Sequence, residues 1–194
     1  MTKYPVCDTG AGGSVYGIRT ANLRNPETRK TLALLGAFCF FLSTIEYMIP
    51  KPMPFIRIGI ANLPLLLALD IFPFHVFLVL AAIKVMGQAL ITGTLFSYIF
   101  LFSLAGTFLS AISMYTLRRL LGSNRISFIG TGVIGAMVSN ITQLALAWVF
   151  IFGSGVLFIA PPFLAAGLCT GMALGAFCEV FTGRSRWYAA RKIR

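Results

Sequence analysis

Six long apolar runs, broken by proline, glycine or short basic loops, fill most of the sequence between residues 32 and 181. A helix needs about 20 mostly apolar residues to cross a bilayer, with a range of about 17–25. In lipid every backbone polar group must also be satisfied within the protein. The runs cover residues 32–49, 58–72, 74–91, 96–117 and 128–152, and a sixth follows Pro161-Pro162 and ends near Phe181. Charged residues make up 11% of the chain, against about 25% in soluble domains. The expected fold is therefore an all-α integral membrane protein with six transmembrane helices.

Charge placement orients the bundle. Lysines and arginines gather in the N-terminal arm, in the loop at 118–125 and in the tail at 184–194, whereas 92–95 and 153–160 carry no charge. Cationic loops stay on the cytoplasmic side, so both termini are expected there, in a multi-pass protein of the plasma (inner) membrane. The net charge of +11 then meets anionic lipid headgroups rather than nucleic acid. Residues 1–28 are polar and glycine-rich and read as a flexible arm, 29–183 as one membrane domain, and 184–194 as a basic tail anchored by Trp187 and Tyr188.

One insert breaks the orientation rule. Residues 50–64, P-K-P-M-P-F-I-R-I-G-I-A-N-L-P, place four prolines, Lys51, Arg57 and Asn62 between two apolar runs on the outer side. Irregular backbone at membrane depth is tolerated where it is buried in protein or lines a cavity. Residues 50–57 read as an outer cap, and 59–64 as the entry of a short, broken second helix of the kind that marks binding sites in transporters.

Other polar groups sit deeper. Lys84 lies midway along the third run with Gln88 one turn on, and Glu46 lies in the outer third of the first run. A lysine at a helix centre costs about 2.5–3.5 kcal/mol on insertion scales and so faces a partner or a cavity. Lys84 and Glu46 could lock two helices as an ion pair. Alternatively, Lys84 and Gln88 line a substrate cavity with Arg57, Asn62, Asn140 and Gln143. Asn140 and Gln143 share a face of the fifth run, where interhelical hydrogen bonds alone would also account for them. Gly167, Gly171 and Gly175 form a smooth stripe for close helix packing, and Ala33 and Ala37 a shorter one.

Catalytic chemistry finds little to work with. The five acidic residues are Asp8, Glu27, Glu46, Asp70 and Glu179, no two within ten positions of each other. Magnesium-assisted chemistry on diphosphates needs carboxylates near one another. Asp70 and Glu179 read as interfacial, and His75 has no Ser or Cys partner that spacing would supply. Cys7, Cys39, Cys169 and Cys178 lack the close spacing of a metal or redox site. There is no G-x-x-x-x-G-K-[ST] loop, and in T-G-A-G-G-S, Val15 replaces the last glycine of a dinucleotide fingerprint. The expectation is a protein that is not an enzyme and that carries no metal or cofactor.

Four motifs occur together: I-G-I-A-N-L-P at 58–64, G-T-L-F-S at 93–97, S-L-A-G at 103–106 and S-N-I-T-Q-L at 139–144. On these the chain resembles, over 31–181, the family called both heptaprenyl diphosphate synthase component I and Gx transporter. That family looks like the six-helix S components of energy-coupling-factor (ECF) transporters. The resemblance implies a subunit that captures a small, anionic or vitamin-like molecule from outside, with a coupling subunit and ATPases as partners. It also implies docking of the coupling subunit on an A-x-x-x-A stripe, which Ala33 and Ala37 match. The substrate-binding set expected from the polar residues themselves is Glu46, Lys51, Arg57, Asn62, Lys84, Gln88, Asn140 and Gln143, and the resemblance supports the 59–62 stretch within it. The alternative is a non-catalytic membrane partner of a prenyl synthase or flavoprotein in isoprenoid-quinone synthesis or electron transfer.

Overall fold

The computed structural model describes residues 26–49, 59–121 and 126–189. Among them the chain is helical, without strands. The helices are α1 Pro26–Met48, α2 Leu63–Ala68, α3 Phe74–Thr92, α4 Tyr98–Leu121, α5 Phe128–Ala147, α6 Val156–Arg184 and α7 Arg186–Ala189. A 3₁₀ turn, Ile60–Asn62, leads into α2, and a π turn, Trp148–Phe152, prolongs α5.

Local chemistry explains several boundaries. α1 starts at Pro26, earlier than the apolar run, because proline suits a first helical position and Glu27 complements the positive end of the helix dipole. Lys30 then pairs with Glu27 at 3.0 Å. Ser127 caps α5 by accepting a hydrogen bond from the Gly130 N–H. α3 ends at Gly93, which holds the left-handed conformation (φ 65°) that lets Gly93 and Thr94 N–H close the last turn on Leu90 and Ala89 carbonyls.

Among the described residues five helices are long and apolar enough to cross a membrane. In the described part of the expected second crossing, 59–72, the chain is not one continuous helix but a 3₁₀ turn followed by six residues of α-helix, in keeping with the broken entry expected at 59–64. Pro64 opens α2. After Ala68 the chain tightens, with Ile71 and Phe72 N–H both on the Ala68 carbonyl, and Pro73 stops any continuation.

Contacts nevertheless give this segment a direction. A Cβ added at Gly36 would lie 3.3 Å from Ile83, and one added at Gly87 would fall on the Phe40 ring. Four residues along α1 thus match four along α3, so the two helices run parallel. Residues between them must carry the chain back to the end where it began, and 59–73 form the described part of that return. Every side chain from Leu63 to Phe72 is buried.

The remaining pairs are antiparallel. Gly106 faces Ser139 and Gln143 while Met114 faces Gly135, which joins α4 to α5. Gly167 meets Asn140, Gly171 meets Gly132 and Gly175 meets Phe128 and Ile129, which joins α5 to α6. The glycine stripe therefore packs inside the bundle. A Cβ on Gly132 would sit 2.6 Å from the Gly171 carbonyl oxygen, so the two backbones touch and only glycine fits. Ala33 and Ala37 are exposed and face out of the bundle.

Candidate functional site

The short return segment begins at Gly59, whose φ of 85° suits glycine. The first N–H groups of a helical turn lack partners within it. Glu46, near the end of α1, supplies them: Oε1 accepts from the Gly59 N–H at 3.1 Å and Oε2 from the Ala61 N–H at 3.3 Å. A carboxylate with 1% exposure thereby fixes the 3₁₀ turn. That turn presents Asn62, whose Oδ1 accepts a hydrogen bond from the Lys84 ammonium on α3.

Behind this pair lies an internal cavity of about 30 Å³. Glu46, Asn62, Lys84, Gln88, Asn140 and Gln143 all line it, so the structure gathers six of the eight nominated binding residues. Lys51 and Arg57, with the proposed cap, lie outside the described residues. Both readings of Lys84 meet here, since Glu46 and Lys84 face the same space. Asn140 Nδ2 donates to the Phe163 carbonyl on α6 at 3.1 Å, and Gln143 Nε2 donates to Ser139 Oγ at 3.1 Å. One amide N–H of each is thus engaged by the protein. Among the described residues nothing hydrogen-bonds the Gln88 side-chain amide, although Gln88 is 4% exposed.

Sequence reasoning missed part of the lining. Thr107 on α4, Ser139 on α5 and Thr170 on α6 add hydroxyls, and Gly132, Gly135, Gly167 and Gly171 form smooth walls. The signal for α4 was present: Ser103, Thr107 and Ser110 recur at helical spacing, and all three are buried. Ser110 donates to the Gly135 carbonyl at 2.7 Å, which brings α4 against α5.

A second polar cluster closes the opposite end of the return segment. Asp70 receives a forked contact from Arg118, Nε to Oδ1 at 2.5 Å and Nη2 to Oδ2 at 2.7 Å. Arg118 also donates to the Ile126 carbonyl at 3.4 Å and stands 3.9 Å over the Phe128 ring. Tyr188 donates to Asp70 Oδ2 at 3.3 Å. Burial and then the Asp70 carboxylate hold the Tyr188 phenol above its ordinary pKa, which keeps it a donor. Three expectations are corrected here. Asp70 is buried in an ion pair rather than interfacial, Arg118 belongs to the last turn of α4 rather than a loop, and Tyr188, at 2% exposure, is a core residue rather than an anchor. Glu179 remains exposed.

The family model described as heptaprenyl diphosphate synthase component I matches residues 35–181. The chain belongs to that family. Its matched region contains every cavity-lining residue from Glu46 to Leu174 and both partners of the Asp70–Arg118 pair, while Ala33 and Tyr188 fall outside it. Comparison with curated proteins and with solved structures returns no match. In this member of the heptaprenyl diphosphate synthase component I family, the described acidic groups buried in the bundle are already engaged: Glu46 by backbone N–H groups and Asp70 by Arg118 and Tyr188. The cavity is lined by amide and hydroxyl groups together with one cation, Lys84.

Proposed function

We propose that this chain is the solute-binding subunit of an ECF-like membrane transporter, and that the cavity is its binding site. One observation carries the reading. Polar residues from α1, the 3₁₀ turn, α3 and α5 converge on one internal space, and the Gln88 amide meets it without a partner among the described residues. Lys84 draws an anionic group of a small, vitamin-like solute, while Asn62, Gln88, Asn140 and Gln143 orient it. About 30 Å³ holds a water molecule or two, so a larger solute enters only when helices separate, and the described state is the closed one.

Orientation follows from charge. Arg29, Lys30, Arg118, Arg119 and Arg184 collect at the end where α1 and α3 begin, whereas the opposite loops at 92–95 and 153–160 are uncharged and only the 50–57 insert, with Lys51 and Arg57, departs from the rule. That end is cytoplasmic in the plasma (inner) membrane, and the return segment counts as the second of six crossings. With no nucleotide-binding loop in the sequence, transport draws on a coupling subunit and ATPases, for which exposed Ala33 and Ala37 offer a docking stripe. The family description supports a second reading, a non-catalytic membrane partner of a prenyl synthase or of a flavin/quinone electron-transfer protein.

Mass spectrometry of small molecules that co-purify with the wild type and with Lys84→Ala tests the site. A solute present in the first and lost from the second, with helix content unchanged by circular dichroism, is the expected result. Equal solute in both would refute the cavity assignment. Recovery of ATPases with a coupling subunit supports transport, whereas recovery of a synthase or flavoprotein supports the second reading.

A further inference from the structure

α6 has 29 residues, about 44 Å at 1.5 Å per residue. That length exceeds a hydrocarbon core of about 30 Å and matches the roughly 40–45 Å that includes both headgroup layers. Its last turn, with Arg184, therefore stands among headgroups at the basic end of the bundle. There Phe177, Val180, Phe181, Arg184 and Ser185 line a surface groove of about 390 Å³. Phe177 and Phe181 stack with ring centroids 6.2 Å apart and an interplanar angle of 11°. They and Val180 are exposed, so the bundle leaves a flat aromatic strip uncovered just below a cation.

Charge selects the occupant. At about 100° per residue, Glu179 lies about 200° round α6 from Phe177, well away from the groove. Arg186, Arg191, Lys192 and Arg194 follow Arg184 in sequence. A zwitterionic headgroup would bring an ammonium toward Arg184, whereas an anionic one brings only its phosphate charge. We propose that the groove is a binding site for one anionic phospholipid, its acyl chain along Phe177 and Phe181 and its phosphate on Arg184. The site adjoins the Asp70 cluster, because Ser185 Oγ accepts from the Tyr188 N–H at 3.3 Å and Tyr188 bonds Asp70.

The chain has two tryptophans. Trp187 is half-buried three residues beyond Arg184, and Trp148 lies at the opposite end of the bundle. In a Trp148→Phe background Trp187 reports alone. This protein is reconstituted in phosphatidylcholine vesicles, and quenching by brominated phosphatidylglycerol is compared with quenching by brominated phosphatidylcholine. The expected preference for the anionic lipid is about fivefold, the factor one arginine near the surface is worth. Arg184→Gln should bring it close to one, while Arg119→Gln, an exposed cation at the same end, should leave it unchanged. Equal quenching by the two lipids, a preference that survives Arg184→Gln, or an equal loss in Arg119→Gln would each overturn the site. Helix content by circular dichroism identifies any variant that has failed to fold.

Discussion

The Asp70–Arg118 pair allows a quantitative test of how the return segment is held. Both side chains are buried, at 7% and 6% exposure, and they lie 48 residues apart. Asp70→Asn keeps the shape but removes the charge that balances the guanidinium. Breaking a buried pair from one side costs about 3–5 kcal/mol. Arg118 would keep the Ile126 carbonyl and the Phe128 face, so the lower end, about 3 kcal/mol, is expected. Replacing both partners with apolar groups, as in Asp70→Leu/Arg118→Met, leaves no stranded charge and should be neutral or stabilising by about 1–4 kcal/mol. The exposed Glu27–Lys30 pair, with 64% and 75% exposure, provides the contrast, since such pairs are worth about 0.3–0.5 kcal/mol. Reversible unfolding in mixtures of dodecyl sulfate and mild detergent, followed by circular dichroism, measures all three. The reasoning fails if Asp70→Asn costs less than about 1 kcal/mol, or if the double variant is no more stable than the single one.

Two further outcomes follow from the same contacts. Tyr188→Phe should cost about 1 kcal/mol at neutral pH, one hydrogen bond. Because the folded phenol titrates above its ordinary value, the stability it confers is intact below the unfolded pKa of about 10 and declines as pH rises beyond it; the difference between wild type and Tyr188→Phe should shrink there, and a pH-independent difference would contradict the account. Gly171→Ala places a Cβ 2.9 Å from the Gly132 carbonyl oxygen and should destabilise by about 1–3 kcal/mol. Gly183→Ala, with nothing within 4 Å, should be neutral or stabilising by up to about 1 kcal/mol; equal losses at the two positions in unfolding curves would remove the close-packing argument.

Features that lie within one helix were readable in the sequence. A cation in the middle of an apolar run has few outcomes in lipid, so Lys84 marked the cavity, and Gln88, one turn on, faces the same way. Glycines spaced by four announced a close helix contact, though not that Gly132 on α5 would meet Gly171 on α6. Asn140 and Gln143 were legible as a shared face but not as donors of which each already gives one N–H to the protein. Clusters assembled from distant residues were not readable. Asp70 and Tyr188 are 118 positions apart, and each alone looks like an ordinary residue at a membrane interface, where Asp, Arg and Tyr are all common.

The return segment shows why local patterns misled most where the chain is least regular. Its hydropathy alone reads as a crossing helix, and residues 63–72 are indeed buried throughout. Yet α2 has six residues, far below the roughly 12–15 at which a helix begins to hold itself together in isolation. It persists because its two ends are fastened by groups from other helices: Glu46 and Lys84 at Gly59–Asn62, and Arg118 and Tyr188 at Asp70. Buried leucines between those ends hold it in the core without specifying a helix. Hydropathy reports that such a segment is inside, whereas its backbone form depends on side chains from α1, α3, α4 and α7, which no window of sequence around residue 65 contains.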